Sequence, residues 1–280
     1  LIVLIGIVYS NMSRSTGSIV ITEGQTVAEM PASYLTLSEA PILGRWFRGF
    51  EVRLDRFQPS YFEGRIGTDY TSYVTVLEDG KPVKSTEIRV NEPLEYRGVS
   101  FVLERYGFAP LVVLSDKDGH RQFDTFVNLR VMGGAEDSFV IPDTDLLVRA
   151  RFFPDMIIAD GNMASRSILP DNPVMLVKII DGGKEVFSGP LPLEGKADLG
   201  NSSLTFAGLR YWTQYQVVKD SGKILIFVSF WIAVFGLSLR YLLIPRQVWV
   251  LVDSTEEGTK LLVGGRSAGL DALYEPEFSR

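Results

Sequence analysis

The chain has 280 residues, 28 Lys+Arg against 34 Asp+Glu, one His and no Cys, for a formal net charge of −6. An apolar share of 46% with 22% charged residues excludes a disordered acidic tail or a low-complexity polymer, and the acidic balance argues against nucleic acid as a partner. Without Cys there is no disulfide framework, no thiolate metal site and no thiol nucleophile; a single His leaves no His-rich metal centre.

The first eight residues, Leu1-Ile2-Val3-Leu4-Ile5-Gly6-Ile7-Val8, form an apolar run. Eight helical residues reach only ~12 Å, well short of a bilayer core. The run lacks the basic start and small-residue cleavage site of a signal peptide. It is expected to be the stub of a membrane helix over residues 1–9, leaving the bilayer at Ser10-Asn11-Met12-Ser13-Arg14; the alternative is a buried strand.

About 210 residues that read as β follow. Around Leu35 to Leu43 there is a weak helical hint. Phe50, Val52 and Leu54 alternate with Glu51, Arg53 and Asp55, the period-2 signature of a half-buried strand. The same alternation puts Thr125, Val127, Leu129 and Val131 on one face, and Leu146, Val148, Ala150 and Phe152 on another. Shorter strands are expected at Tyr73–Leu77, Phe101–Leu103, Leu111–Leu114, Val174–Ile180 and Leu204–Phe206. Asp79-Gly80, Asp118-Gly119 and Asp181-Gly182 fall between apolar segments and predict hairpins in antiparallel meanders. A seam is expected near 133–143, where Gly133-Gly134-Ala135-Glu136-Asp137 breaks the pattern.

Ile224 to Leu239 is sixteen residues without a charge, and after Arg240 the apolar run continues to Ile244. Twenty-one helical residues span ~31 Å, enough to cross the hydrocarbon. Arg240 can snorkel to the interface. Trp212 and Tyr215 before the span, and Tyr241 and Trp249 after it, read as aromatic belts. Lys219 and Lys223 on one side balance Arg240 and Arg246 on the other, so charge leaves the orientation open. Beyond the span, Val248–Val252 and Lys260–Val263 read as a hairpin about Glu256-Glu257-Gly258, with a short helix over Ser267–Phe278. The expected class is mainly β: an antiparallel sandwich or barrel-like domain over 10–222, a membrane helix over 223–245 and a short tail over 246–280.

Chemistry-bearing residues are sparse. His120, in Asp116-Lys117-Asp118-Gly119-His120, is the only candidate haem ligand or pH-sensitive contact; the alternative is an exposed histidine beside a turn. No Gly-x-Ser-x-Gly elbow accompanies it, so no catalytic residue is assigned. Asp116 with Asp118, and Asp143 with Asp145, are paired carboxylates that lack the rest of a calcium loop, so no metal site is assigned. Arg45, Arg48, Arg53 and Arg56, interleaved with Trp46, Phe47, Phe50 and Phe57, could meet anionic head groups or haem propionates, or form a solvated face. Gly264-Gly265-Arg266-Ser267 lacks the phosphate-loop pattern. The six methionines, Met12, Met30, Met132, Met156, Met163 and Met175, read as packing.

Phe50 to Phe57 with Tyr61 and Gly64, Tyr70 to Val76, and above all Ile88-Arg89-Val90-Asn91-Glu92-Pro93-Leu94-Glu95-Tyr96-Arg97-Gly98-Val99-Ser100-Phe101 with Arg105-Tyr106-Gly107 resemble the ResB (CcsB) family of cytochrome c biogenesis proteins, system II. Asn172-Pro173-Val174, the stretch from Tyr211 through the span to Val250, Gly264–Ser267 and Glu275–Phe278 extend the likeness. The chain departs from the family at Val102-Leu103 and Asp220-Ser221-Gly222, and holds only Leu1 to Val8 of the three membrane helices that precede the family's large domain. The resemblance implies a component of a haem–apocytochrome c synthase complex in the cytoplasmic membrane, with its β domain outside and its tail in the cytoplasm. It implies a multi-span ResC (CcsA)-like partner, haem as cofactor of the complex, and apocytochrome c receiving haem at Cys-x-x-Cys-His. The family's membrane-helix His has no counterpart here, and His120 does not match it. The alternative function is a membrane-anchored β domain that scaffolds another envelope complex.

Overall fold

The structure is a computed structural model and describes residues 2–39, 42, 47–62, 65–129, 136–242, 246–255 and 258–267. Leu1, Arg45, Trp46, Gly64, the 133–135 part of the expected seam, Leu243–Pro245, Glu256-Glu257 and the helix expected beyond Ser267 lie outside the described residues. The chain divides into two compact units, Met12–Ser221 and a second formed by Leu1–Asn11 with Gly222–Arg280.

In chain order, helix α1 (Ile2–Ser13) leads to strands β1 (Ser15–Thr22), β2 (Thr26–Ala28) and β3 (Thr36–Glu39). Then come β4 (Glu51–Phe62), β5 (Arg65–Glu78), β6 (Lys81–Ile88), β7 (Leu94–Tyr96), β8 (Val99–Asp116) and β9 (Arg121–Phe126). The next set is β10 (Glu136–Val140), β11 (Leu146–Phe153), β12 (Met156–Ala159), β13 (Asn162–Ser165), β14 (Val174–Asp181) and β15 (Lys184–Pro192). Last are β16 (Lys196–Asp198), β17 (Ser202–Lys219), helix α2 (Lys223–Leu242), β18 (Arg246–Thr255) and β19 (Gly258–Ser267). Every named ladder is antiparallel, and the sheets of the described residues are open, with no closed barrel.

The frame of the larger unit is the β8–β17 pair, which runs from Val99↔Lys219 to Asp116↔Ser202. Two register shifts, at Phe206/Gly208 and Gln214/Tyr215, bend it without breaking it. One end of this ribbon, widened by β1, β3 and β7, meets the sheet β2-β4-β5-β6. There Ile19, Ile21, Phe101, Tyr215 and Val217 pack with Phe50, Val52, Leu54, Val74, Val76 and Ile88. The other end, widened by β9 and β16, meets the sheet β10-β11-β14-β15, so that Val112, Leu114, Leu204 and Phe206 pack with Val148, Ala150, Phe152, Val177 and Ile179. A run of aromatic rings extends from the second core along the ribbon: Phe152–Phe108 (4.9 Å between centroids), Phe108–Tyr211 (5.1 Å), Tyr211–Tyr106 (6.4 Å) and Tyr106–Phe57 (4.7 Å).

The alternations at 50–56 and 146–152 place their apolar faces inward as expected. Both Asp79 and Gly80 adopt positive φ (50° and 72°) in the β5–β6 turn, which an Asp-Gly pair tolerates. The last hairpin turn is displaced by one residue: Gly182-Gly183 takes the positive φ values and Asp181 pairs with Lys184. The helical hint at 35–43 is overturned, because Thr36–Glu39 is an edge strand bound to β1. The strand expected to run on past Phe126 ends there, yet Val127 and Leu129 still donate to the carbonyls of Pro110 and Phe108 (2.9 and 3.1 Å). Trp212 and Tyr215 are not a membrane belt, since both are buried within β17.

In the smaller unit, α1 is a 12-residue helix that continues through the polar change at Ser10. Its Gly6 and Ser10 are buried; an added Cβ on Gly6 would stand 3.3 Å from Ile226, and one on Gly222 would stand 2.4 Å from Ser10. Close approach through small residues is how helices pack where the hydrophobic effect cannot drive them together. Helix α2 is 20 residues long and is apolar enough to cross a membrane. Its burial is inverted relative to a core helix: Ser229, donating to the Leu225 carbonyl at 2.7 Å, is its buried residue, while Phe235 is 65% exposed. Strands β18 and β19 pair from Arg246↔Ser267 to Thr255↔Gly258, the hairpin expected from the tail.

Candidate functional site

A concavity of the larger unit lies on the face of β1, β17 and β8 turned away from the β2-β4-β5-β6 sheet, and encloses about 620 Å3. Strand alternation builds it. Thr16, Ser18 and Val20 alternate with the buried Ile19 and Ile21, and Trp212, Gln214 and Gln216 alternate with Tyr215 and Val217. Thr36 and Ser38 of β3 form one wall, and Glu104, Arg105 and Asn128 form the other.

Close backbone approach shapes this groove. A Cβ on Gly17 would fall 2.5 Å from the Tyr34 ring, so only glycine lets β3 and Tyr34 close over β1 here. A Cβ on Gly107 would fall 2.7 Å from the Trp212 indole, which lies over that glycine and donates Nε1–H to the Leu129 carbonyl at 2.8 Å. The polar side chains are held in place. Ser18 Oγ and Thr36 Oγ1 are 2.6 Å apart, Gln214 Nε2 donates to Glu104 Oε2 at 2.8 Å, and Arg105 pairs with Glu104 at 3.2 Å. Thr22 Oγ1 donates to Asn128 Oδ1 at 2.8 Å. Hydroxyls, amides, a carboxylate and a guanidinium thus line the concavity, and several of them are hydrogen-bonded to one another.

A buried charged group sits near the end of β17. Glu29 and Lys219 are both buried; Glu29 accepts from the Tyr34 hydroxyl at 3.0 Å and from the Arg48 backbone N–H. Burial, with the Glu29 carboxylate beside it, pushes the Tyr34 hydroxyl pKa up. Burial, reinforced by Arg48 and opposed by Glu29, lowers that of the Lys219 ammonium. Residue spacing gave no hint of this group; Lys219 read simply as a charge flanking the span. Tyr215 is 0% exposed, and burial pushes its hydroxyl up to about 12, partly offset by Ser72 and Thr213 beside it.

His120 stands 81% exposed at the β8–β9 turn, with Nδ1 3.4 Å from Asp116 Oδ2. Asp116, Asp118 and His120 bring one ligand atom each within 4.8 Å of one another. Asp116 Oδ1 accepts the backbone N–H of His120 and of Asp118, both at 2.9 Å, which holds its carboxyl below the usual range. Asp143 and Asp145 are exposed and do not join this group. Within the basic stretch, Arg53 Nε pairs with Asp55 at 2.6 Å, and Asp55 also accepts from Thr75 Oγ1, as on a solvated strand face. Gly264–Ser267 lies within β19 and is no loop. Met175 is buried in the core, while Met156 and Met163 sit on the β12–β13 hairpin.

Compared with known proteins, the chain matches the ResB-like family over residues 1–207 and 190–279. It is 22% identical over 236 residues to the cytochrome c biogenesis protein CcsB of Trichormus variabilis, covering 84% of this chain and 46% of that protein. It is 24% identical over 235 residues to the chloroplastic cytochrome c biogenesis protein CCS1 of Oryza sativa, covering 82% and 38%. It is 23% identical over 296 aligned positions to CcsB of Synechococcus, covering 100% and 55%. The chain thus spans about half the length of the curated relatives it matches, and it belongs to the ResB-like family.

Proposed function

We propose that this ResB-like chain is a membrane-anchored, non-catalytic component of cytochrome c maturation. It acts with a ResC (CcsA)-like partner in haem export and in covalent attachment of haem to apocytochrome c. The observation that carries this reading is the match along nearly the whole chain to proteins named for cytochrome c biogenesis. Two features of the molecule support it. Helix α2 has the length and the outward apolar surface of a bilayer span. The concavity between β1, β3, β8 and β17 carries polar side chains, and we assign it to apocytochrome c, with the β domain on the extracytoplasmic side of the cytoplasmic membrane.

Haem enters this reading as cargo. The surroundings of His120 do not fit a porphyrin, because an exposed turn with two carboxylates supplies no apolar wall. No haem ligand is therefore assigned to this chain.

The test is deletion of the gene in its source organism with complementation by the full-length protein. The expected outcome is loss of covalently bound haem from c-type cytochromes, restored by the wild type and by His120→Ala alike, together with co-purification of a CcsA-like membrane protein. Normal c-type cytochromes in the deletion strain, with no second copy of the gene, contradict the proposal.

A further inference from the structure

Antiparallel partners point to the same side of a ladder and sides alternate along each strand. In the β18–β19 hairpin, Val250 pairs with Val263 and Val252 with Leu261, so these four share one face with Val248. That face is apolar throughout its middle, and each of its five side chains is 55–61% exposed. The opposite face is mixed: the apolar Leu251↔Leu262 pair and Trp249↔Gly264 are bracketed by Gln247↔Arg266 and Asp253↔Lys260. A two-stranded hairpin is at best marginally stable in water, and this one presents an uncovered apolar side.

Three observations say what covers it. First, β18 begins at Arg246, four residues after the last residue of α2, so at no more than ~3.5 Å per residue the hairpin starts within about 14 Å of the helix end. Second, the positions nearest α2 are cationic: Arg240 lies in its last turn, and Arg246 and Arg266 lie on the last two rungs of the ladder. Asp253 lies toward the far end of that ladder, opposite Lys260, so the far end carries no net charge there. Third, Tyr241, exposed at 81%, stands at the end of α2 next to this junction, as interfacial aromatics do. An apolar face, a cationic base and an amphipathic ring at the end of the preceding helix match the interfacial zone of an anionic bilayer. The open backbone edges of the hairpin are tolerable there because water and head groups remain within reach.

We infer that the β18–β19 hairpin lies on the membrane surface, with Val248, Val250, Val252, Leu261 and Val263 turned into the acyl boundary and Arg266 at the anionic head groups. This rests on α2 spanning the bilayer.

The chain has no cysteine, so single-cysteine spin labels read one position each. The full chain carrying Val250→Cys, Val263→Cys, Lys260→Cys or Phe235→Cys is reconstituted in phosphatidylcholine–phosphatidylglycerol nanodiscs. Accessibility to oxygen and to a water-soluble nickel chelate is then measured. Labels at 250, 263 and 235 are expected to favour oxygen severalfold, and the label at 260 to favour nickel. Nickel access at 250 and 263 with oxygen preference at 235 overturns the inference while leaving the span intact. Nickel access at 235 removes the span itself and the inference with it. Protection of 250 and 263 from both reagents marks a protein contact and also overturns it. If the Val250→Cys chain fails to fold, Val252→Cys reads the same face.

Discussion

Phe101 and Phe235 are the same side chain in opposite settings. Phe101, in the long β8 strand, is 1% exposed and stacks edge-on against Phe50 and Tyr215. Phe235, in α2, is 65% exposed among Phe227, Trp231 and Leu239, which also face outward. In the β unit apolar groups turn inward and polar ones line the outer face, the order water imposes. In α2 the order reverses, with a serine inside and aromatics outside. A helix arranged that way gains nothing from water and is stable where its surroundings are as apolar as its side chains. The contrast teaches that α2, unlike the β unit, carries the outward apolar surface and the length that a bilayer span requires.

Three experiments break or sharpen this contrast. The largest effect is expected in the cores. Phe101→Ala and Phe206→Ala should each lower unfolding stability of the β unit by about 3–5 kcal/mol in a denaturant titration followed by Trp fluorescence. Phe235→Ala should leave the same midpoint unchanged; an equal loss there would erase the distinction. Next, Ile232→Asp places a carboxylate at the middle of α2 and should cost about 3 kcal/mol of membrane insertion, read as the inserted fraction in a translocon assay. An unchanged inserted fraction would mean that this helix is not lipid-facing.

The smallest effect is a pH dependence confined to the β unit. The Tyr215 hydroxyl titrates near 10 when unfolded and is pushed up to about 12 when folded. The folded state therefore keeps the proton longer, and its stability is level below about pH 10 and falls between about 10 and 12. The full loss is on the order of 2–3 kcal/mol. Tyr34, also raised, adds to the same slope. Tyr215→Phe should flatten that slope. It should cost less than about 1 kcal/mol at neutral pH, because the hydroxyl makes no hydrogen bond of good geometry. Denaturant midpoints at pH 8, two units below the window, and at pH 11, in its middle, check this for the two proteins.

Local patterns carried the individual strands but not the frame. Phe50, Val52 and Leu54, or Leu146 to Phe152, announce their buried face because alternation is a local property. The continuity of β8 was hidden, since Glu104-Arg105, Gly107 and Pro110 interrupt its pattern and read as the gap between two short strands. The shift between Gln214 and Tyr215, where β17 meets that interruption, is a property of the pair and leaves no mark in either segment alone. Trp212 and Tyr215 misled for a related reason: aromatics near a span suggest an interface, but here they belong to the strand that precedes it. The groove was illegible because its walls come from residues near 16–20, 35–38, 104–105, 128 and 212–216, brought together only by the β1–β17–β8 pairing. The long apolar helix α2 was the clearest signal, because hydropathy over twenty residues needs no partner to be read.

The most direct test of this contrast is alkaline carbonate extraction of the full chain from vesicles, followed by flotation. The chain should stay with the lipid and float, and a variant lacking residues 224–242 should be released. Recovery of the intact chain as a soluble, monodisperse protein in the aqueous fraction would contradict it.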